Sequence, residues 1–141
     1  MVLTSLVLCV LGLAVAAYLT FEHYTSSTTL ACSSTGAIDC LKVTTSSYAK
    51  VAGIPVALLG LVFFVAMTVL CAPPAWRSTN PNVRRVRLAA ACAGMVSVLY
   101  LVWVELFRVD AICLWCTAVH VLTFAIFALV VVEATGSLAV E

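Results

Sequence analysis

The sequence predicts an all-α integral membrane protein: a four-transmembrane-helix bundle with an extracytoplasmic loop and a short half-helix. Composition is the first observation behind this reading. The chain is 65% hydrophobic and 9% charged, against roughly 25% charged in soluble domains, so it cannot build a water-facing polar shell. The second is four apolar stretches, each near the roughly 20 residues that cross hydrocarbon as a helix. The third is the placement of charge, which falls between those stretches or at their ends.

The first span runs from about Val2 to Phe21. Ala14-Val15-Ala16 resembles a signal-peptide cleavage site, but no Lys or Arg precedes it and the apolar run continues past it. It is therefore expected to stay as a span. The second span runs from about Ile54 to Cys71, the third from Leu88 to Phe107 and the fourth from Ile112 to Val132. Glu105 and Glu133 sit at span ends, where a charge costs little. The connection from Ala72 to Arg87 carries Arg77, Arg84, Arg85 and Arg87 without an acid, and Pro73-Pro74 and Asn80-Pro81 mark it as irregular. The positive-inside rule places it in the cytoplasm. The opposite side holds Glu22 to Gly53 and Arg108 to Ala111, where Lys42, Lys50 and Arg108 balance Glu22, Asp39 and Asp110. Four spans put both termini in the cytoplasm. Residues 1–141 read as one domain in a cell membrane, and a net charge of +1 gives no case for nucleic acid.

Between the first two spans, Thr44 to Ala52 reads as a short amphipathic half-helix. Its Ser and Thr residues can cap it, and Tyr48 and Val51 give it an apolar side. Gly53-Ile54-Pro55 then forms a hinge into the second span, since proline is tolerated in a first helical turn. Covering a ligand pocket and anchoring at the interface are both open roles for this segment.

Seven cysteines divide into two sets. Cys9, Cys71 and Cys92 fall in or beside spans, where free cysteine acts as a small buried hydrophobe. Cys32, Cys40, Cys113 and Cys116 lie on the predicted external side. Cys113-Leu114-Trp115-Cys116 opens the fourth helix, so its sulfurs share a face. The positive end of the helix favours the thiolate. Cys32 and Cys40 sit in a polar loop, where a disulfide would be open to a soluble thiol. Two pairs on one side suggest a relay by thiol–disulfide exchange. A four-thiolate zinc site and inert structural disulfides are the competing readings. His120 falls on the helix face of Cys113 and Cys116, and an ionisable residue inside a span is a functional candidate.

The ordered set of motifs resembles the vitamin K epoxide reductase family, in particular its compact bacterial members. That set is Cys32 and Cys40, then Cys40-Leu-Lys-Val-Thr-Thr-Ser46-Ser47-Tyr48-Ala49, Gly53-Ile-Pro55-Val-Ala-Leu-Leu-Gly60, and Cys113-Leu-Trp-Cys116. The resemblance spans about residues 5 to 132. It implies a four-helix membrane bundle around a quinone, menaquinone or ubiquinone, that accepts electrons from an extracytoplasmic DsbA-like thioredoxin-fold protein. It implies Cys32 and Cys40 as the shuttle pair, Cys113 and Cys116 as the active-site pair, exchange between Cys40 and Cys113, and Cys116 facing the quinone. Ser46 matches a family serine near the active site, and Ser46 and His120 are expected to hydrogen-bond the quinone oxygens. No metal is implied. Vertebrate members carry a Tyr where this chain has His120 and an Asn with no counterpart here, so the resemblance points to quinone rather than vitamin K epoxide. The thioredoxin-like domain fused to many bacterial members is expected to be a separate protein.

Overall fold

The computed structural model describes residues 1–25, 32 and 35–138, the side chains of 137 and 138 excepted. The predicted cytoplasmic C-terminus at Glu141 lies outside them. Among the described residues, six α-helices and one small hairpin follow in order: α1 (Val2–Thr25), α2 (Cys40–Thr45), β1 (Lys50–Val51) paired with β2 (Ile54–Pro55), α3 (Val56–Cys71), α4 (Pro73–Trp76), α5 (Pro81–Val104) and α6 (Leu114–Leu138). The long helices form one bundle. α1 packs on α3 and α6, and α5 packs on α6 and, less extensively, on α3. Three segments, Val2–Thr25, Pro81–Val109 and Leu114–Gly136, are long and apolar enough to cross a membrane, which makes this a multi-pass membrane protein.

The second predicted span, α3, has only 16 residues. At about 1.5 Å per residue it rises about 24 Å, less than a hydrocarbon core of about 30 Å. Its start moves from Ile54 to Val56 because Ile54 and Pro55 are taken by the hairpin. α3 nevertheless sits at the centre of the packing. The Phe64 ring fills the space where a side chain at Gly12 of α1 would stand, and Phe63 does the same at Gly94 of α5. With lipid outside, such close contacts between small and large residues drive helix association. Cys9, Phe64, Met67, Cys71, Ala91 and Ile126 form the fully buried seam.

Several boundaries differ from expectation for local reasons. The half-helix starts at Cys40, not Thr44, because the Asp39 side chain accepts the Lys42 N–H at 2.9 Å and caps it there. It ends at Thr45, followed by a 3-10 turn over Ser47–Ala49. Residues 50–55 are a hairpin rather than helix, since Ala52 and Gly53 turn it with φ of 52° and 82°. The arginine connection is less irregular than its prolines suggested. Pro81 occupies the first turn of α5, and the Asn80 side chain accepts the Asn82 N–H at 2.9 Å. Arg84, Arg85 and Arg87 are thereby helical. Arg87 is buried and bridges helices: its guanidinium donates to Glu133 at 2.9 Å and to the Leu70 carbonyl at 3.3 Å, and lies 4.2 Å from the Trp76 ring centroid. Glu133 is therefore a paired charge, not a bare one at a span end. Cys9 and Cys71 are fully buried as expected, whereas Cys92 is exposed on the outer surface of α5.

Candidate functional site

The end of the bundle opposite the arginines brings the two cysteine pairs together. Cys32 and Cys40 are joined as a disulfide, with Cα atoms 6.0 Å apart. Between them, Thr35 and Ile38 exchange two backbone hydrogen bonds of 3.1 Å around Gly36, whose φ of 62° suits a tight turn. The far side of this turn is fastened to the segment before Cys113. The Ile112 N–H donates to the Ala37 carbonyl at 2.9 Å, and the Asp39 N–H donates to the Ile112 carbonyl at 3.0 Å, a short parallel bridge centred on Ile38 and Ile112. Lys42 Nζ adds a contact to the Asp110 carbonyl at 3.3 Å. This brace sets Cys40 and Cys113 beside one another in chain terms, each one or two residues beyond the bridged pair. Both are buried.

The return into α6 depends on an irregular turn. α5 widens into a π-helical turn over Glu105–Val109, closed by Asp110 in the left-handed region with φ of 52°. The Asp110 and Ala111 N–H groups both donate to the Glu105 carbonyl. π-turns of this kind often occur at functional sites. α6 then begins at Leu114, which makes Cys113 its cap: Cys113 Sγ accepts the Cys116 N–H at 3.2 Å. A thiol in this position meets a free amide and the positive end of the helix. Hydrogen bonding from the Cys116 thiol holds the Cys113 thiol below its ordinary range, against burial, which pushes it up. The Cys116 N–H lowers it further, and the Glu105 carboxylate opposes.

The two sulfurs of this pair have different surroundings. Cys116 stands on the wall of a cavity of about 550 Å3 inside the bundle, whereas Cys113 is fully buried and off that wall. The wall is mostly aliphatic and aromatic, with a few polar groups: Ser46, His120, Glu105, His23 and Tyr48 among them. Volume and lining fit a largely apolar ligand with a few polar contacts. His120 is one turn beyond Cys116, as its spacing predicts, and its ring makes no hydrogen bond among the described residues. Ser46 also reaches the wall, but its hydroxyl already donates to the Val43 carbonyl at 2.8 Å. Ser46 can thus accept a hydrogen bond from a ligand and has no free donor to give one. All six predicted site residues are found at this end, and the half-helix, its Ser46 cap and the 3-10 turn line the cavity through Val43, Thr44, Ser46 and Tyr48.

Glu105 was missed. Although its place at a span end implies a low-cost charge, it is buried at 6% exposure, faces the cavity and lies against the Cys113 N–H. The available signal was its position one helical stretch before Cys113 in the apolar run Val102-Trp103-Val104-Glu105-Leu106-Phe107.

No curated protein matches this sequence. The vitamin K epoxide reductase family profile matches residues 3–131, nearly the whole chain. With two cysteine pairs at one end of a membrane bundle and a helix-capping C-x-x-C beside an apolar cavity, the chain belongs to the vitamin K epoxide reductase family of membrane oxidoreductases.

Proposed function

We propose that this protein oxidises an extracytoplasmic DsbA-like thioredoxin-fold partner and passes the electrons through its two cysteine pairs to a membrane quinone. The observation that carries the reading is the division of labour within Cys113-x-x-Cys116. Cys113 is buried beside the braced loop that carries Cys40, and Cys116 opens on the apolar cavity. The Cys32–Cys40 disulfide is the point of entry. A partner thiolate attacks it and leaves oxidised, and Cys32 and Cys40 become thiols. The Cys40 thiolate then attacks the Cys113–Cys116 disulfide through a Cys40–Cys113 mixed disulfide. Cys32 resolves that link, which restores the loop disulfide and leaves Cys113 and Cys116 as thiols, the arrangement seen here.

When bound, quinone supplies a two-electron, two-proton acceptor. The chain's part is to present Cys116 to it, exclude water with the apolar wall, and orient it by hydrogen bonds. His120, whose ring makes no hydrogen bond among the described residues, is suited to donate to a quinone oxygen. Ser46, its proton committed to Val43, is suited to accept from a quinol hydroxyl. The arginines at the opposite end support a cytoplasmic assignment for that end, which puts the cysteine pairs outside, and a partner separate from this chain then meets Cys32 and Cys40 there.

The test is quinone reduction by the purified chain with a reduced DsbA-like protein, run on wild type and on Cys32→Ala, Cys40→Ala, Cys113→Ala and Cys116→Ala. Wild type is expected to turn over and all four variants to fail with the partner. Reduction of quinone by Cys116→Ala at the wild-type rate sinks the reading.

A further inference from the structure

The oxidation of Cys113 and Cys116 has a proton problem that their geometry exposes. Two S–H bonds break and one S–S bond forms. The electron pair goes to the quinone, which gains two O–H bonds, so both sulfur protons must reach oxygen in the cavity. Cys116 is on the wall and can release its proton there directly. Cys113 is fully buried behind it, with its sulfur turned to the Cys116 amide, so its proton needs a carrier.

Glu105 is placed for that task. Its carboxylate is on the cavity wall, lies against the Cys113 N–H and acts electrostatically on the thiols of both Cys113 and Cys116. No cationic side chain pairs with it among the described residues; the ion pair Arg87–Glu133 is at the other end. A buried, unpaired carboxylate is costly, and this one is held by the π-turn that also returns the chain to Cys113. Other titratable groups facing the same space are His120 of α6, His23 of α1, Tyr48 of the 3-10 turn and Tyr100 of α5, while α3 contributes none. The nearby cations are engaged elsewhere, Lys42 on the Asp110 carbonyl and Arg108 5.5 Å from the Trp103 ring centroid.

We propose that Glu105 is the proton carrier between Cys113 and the quinone, a role that rests on the quinone-reductase reading. The carboxylate takes the Cys113 proton as the disulfide forms and delivers it to the reduced quinone oxygen, ending each cycle as it began. The Cys116 proton goes to the second oxygen, and the two thiols, two electrons and two protons are all accounted for.

The experiment compares wild type, Glu105→Gln and Glu105→Asp in the full chain, with reduced DsbA-like protein and a water-soluble quinone. Glu105→Gln is expected to lower kcat about a hundredfold, the low end for a general acid–base group, with the quinone KM changed by less than about twofold. Its kcat–pH profile should lack one limb that wild type shows and Glu105→Asp retains at a shifted position. A second readout needs no quinone: iodoacetamide trapping of Cys113 in the reduced chain should move to lower pH in Glu105→Gln, because a negative charge beside the thiol is gone. Wild-type kcat in Glu105→Gln, or a lower kcat with the limb intact and trapping unmoved, overturns the proposal and marks Glu105 as structural. If Glu105→Gln does not fold, Glu105→Asp decides, and an unshifted limb overturns it. A wild type that leaves quinone unreduced removes the acceptor and this role together, and the wild-type trace alone distinguishes that result.

Discussion

The two ends of the bundle are built from different kinds of contact. At the arginine end, helices are joined through one side chain: Arg87 ties α5 to Glu133 of α6, to the Leu70 carbonyl of α3 and to the Trp76 ring of α4. Asn80 caps α5 and Pro81 occupies its first turn. At the cysteine end, the join between the loop and the segment before α6 is chiefly backbone to backbone, and the helices are interrupted. A π-turn, a 3-10 turn, a two-residue hairpin and the Ile38–Ile112 bridge occupy the space where α3 is too short to continue. The first end fixes helix positions. The second leaves backbone amides and a cavity available to sulfur chemistry. One bundle therefore separates the part that sets stability from the part that carries the cysteine pairs, and substitutions should fall on one side or the other.

The largest expected effect lies at the cysteine end. Cys116→Ala should lower quinone reduction by at least about a thousandfold, as loss of a covalent participant does, while Cys92→Ala on the outer surface of α5 leaves it unchanged. Cys116→Ala should also accumulate the Cys40–Cys113 disulfide, detected by peptide mapping under non-reducing conditions. Neither variant should move the thermal unfolding midpoint in detergent appreciably. A large loss of stability in Cys116→Ala would break the separation of the two ends.

Next in size is Arg87→Ala. Removing one member of a buried ion pair costs about 3–5 kcal/mol, and the partial exposure of Glu133, 21% against 2% for Arg87, places this case at the low end, about 3 kcal/mol. Thermal unfolding should report that loss, with kcat for quinone reduction within about twofold of wild type. Arg87→Met combined with Glu133→Leu should recover most of the stability, since well-packed apolar replacements of a buried pair are often neutral or better. A kcat that falls in step with stability would show the two ends to be coupled.

The same contrast explains what was legible in the sequence. Three spans are written in apolar composition, which reports burial in lipid directly. The C-x-x-C and His120 are written in helical spacing, and α6 preserves both relations. The brace between residues 37–39 and Ile112 has no side-chain signature, because backbone amides of any residue could make it. The π-turn is equally silent, and with it the burial of Glu105, whose distance from the span centre does not say which way the chain turns next. Charge alone assigns Arg87 to the loop, although Asn80-Pro81 before it is a helix start as much as an irregular stretch. Hydropathy could not distinguish the Ile54–Pro55 hairpin from the first turn of α3, since both are apolar.

A smaller effect tests how the loop pair is held at the cysteine end. Asp39 accepts the Lys42 N–H at the start of α2, next to the brace. Asp39→Ala should cost about 1 kcal/mol, the usual value of such a cap, and loosen Cys40 against Cys113. Partner-driven quinone reduction should slow, whereas reduction driven by a small dithiol acting directly on Cys113–Cys116 should not. Equal slowing of both routes would place Asp39 in general stability rather than in transfer between the pairs.

The smallest effect concerns the pH response of Cys113. Its thiol is held below the ordinary range first by the hydrogen bond from the Cys116 thiol, so the thiolate persists on the acid side of an unperturbed cysteine, near 8.5 or so. Trapping of Cys113 in the reduced chain should accordingly fall off at a lower pH than it does for an unperturbed cysteine. Cys116→Ala removes that donor, and the profile should move to higher pH; Cys116→Ser keeps a donor in place, and its profile should stay closer to wild type. The backbone N–H of residue 116 persists in all three proteins, so the difference between the Ala and Ser variants isolates the side-chain hydrogen bond from the helix cap. Superimposable Ala and Ser profiles would assign the lowering to the helix terminus alone, and the cysteine end would then owe its reactivity to backbone contacts throughout.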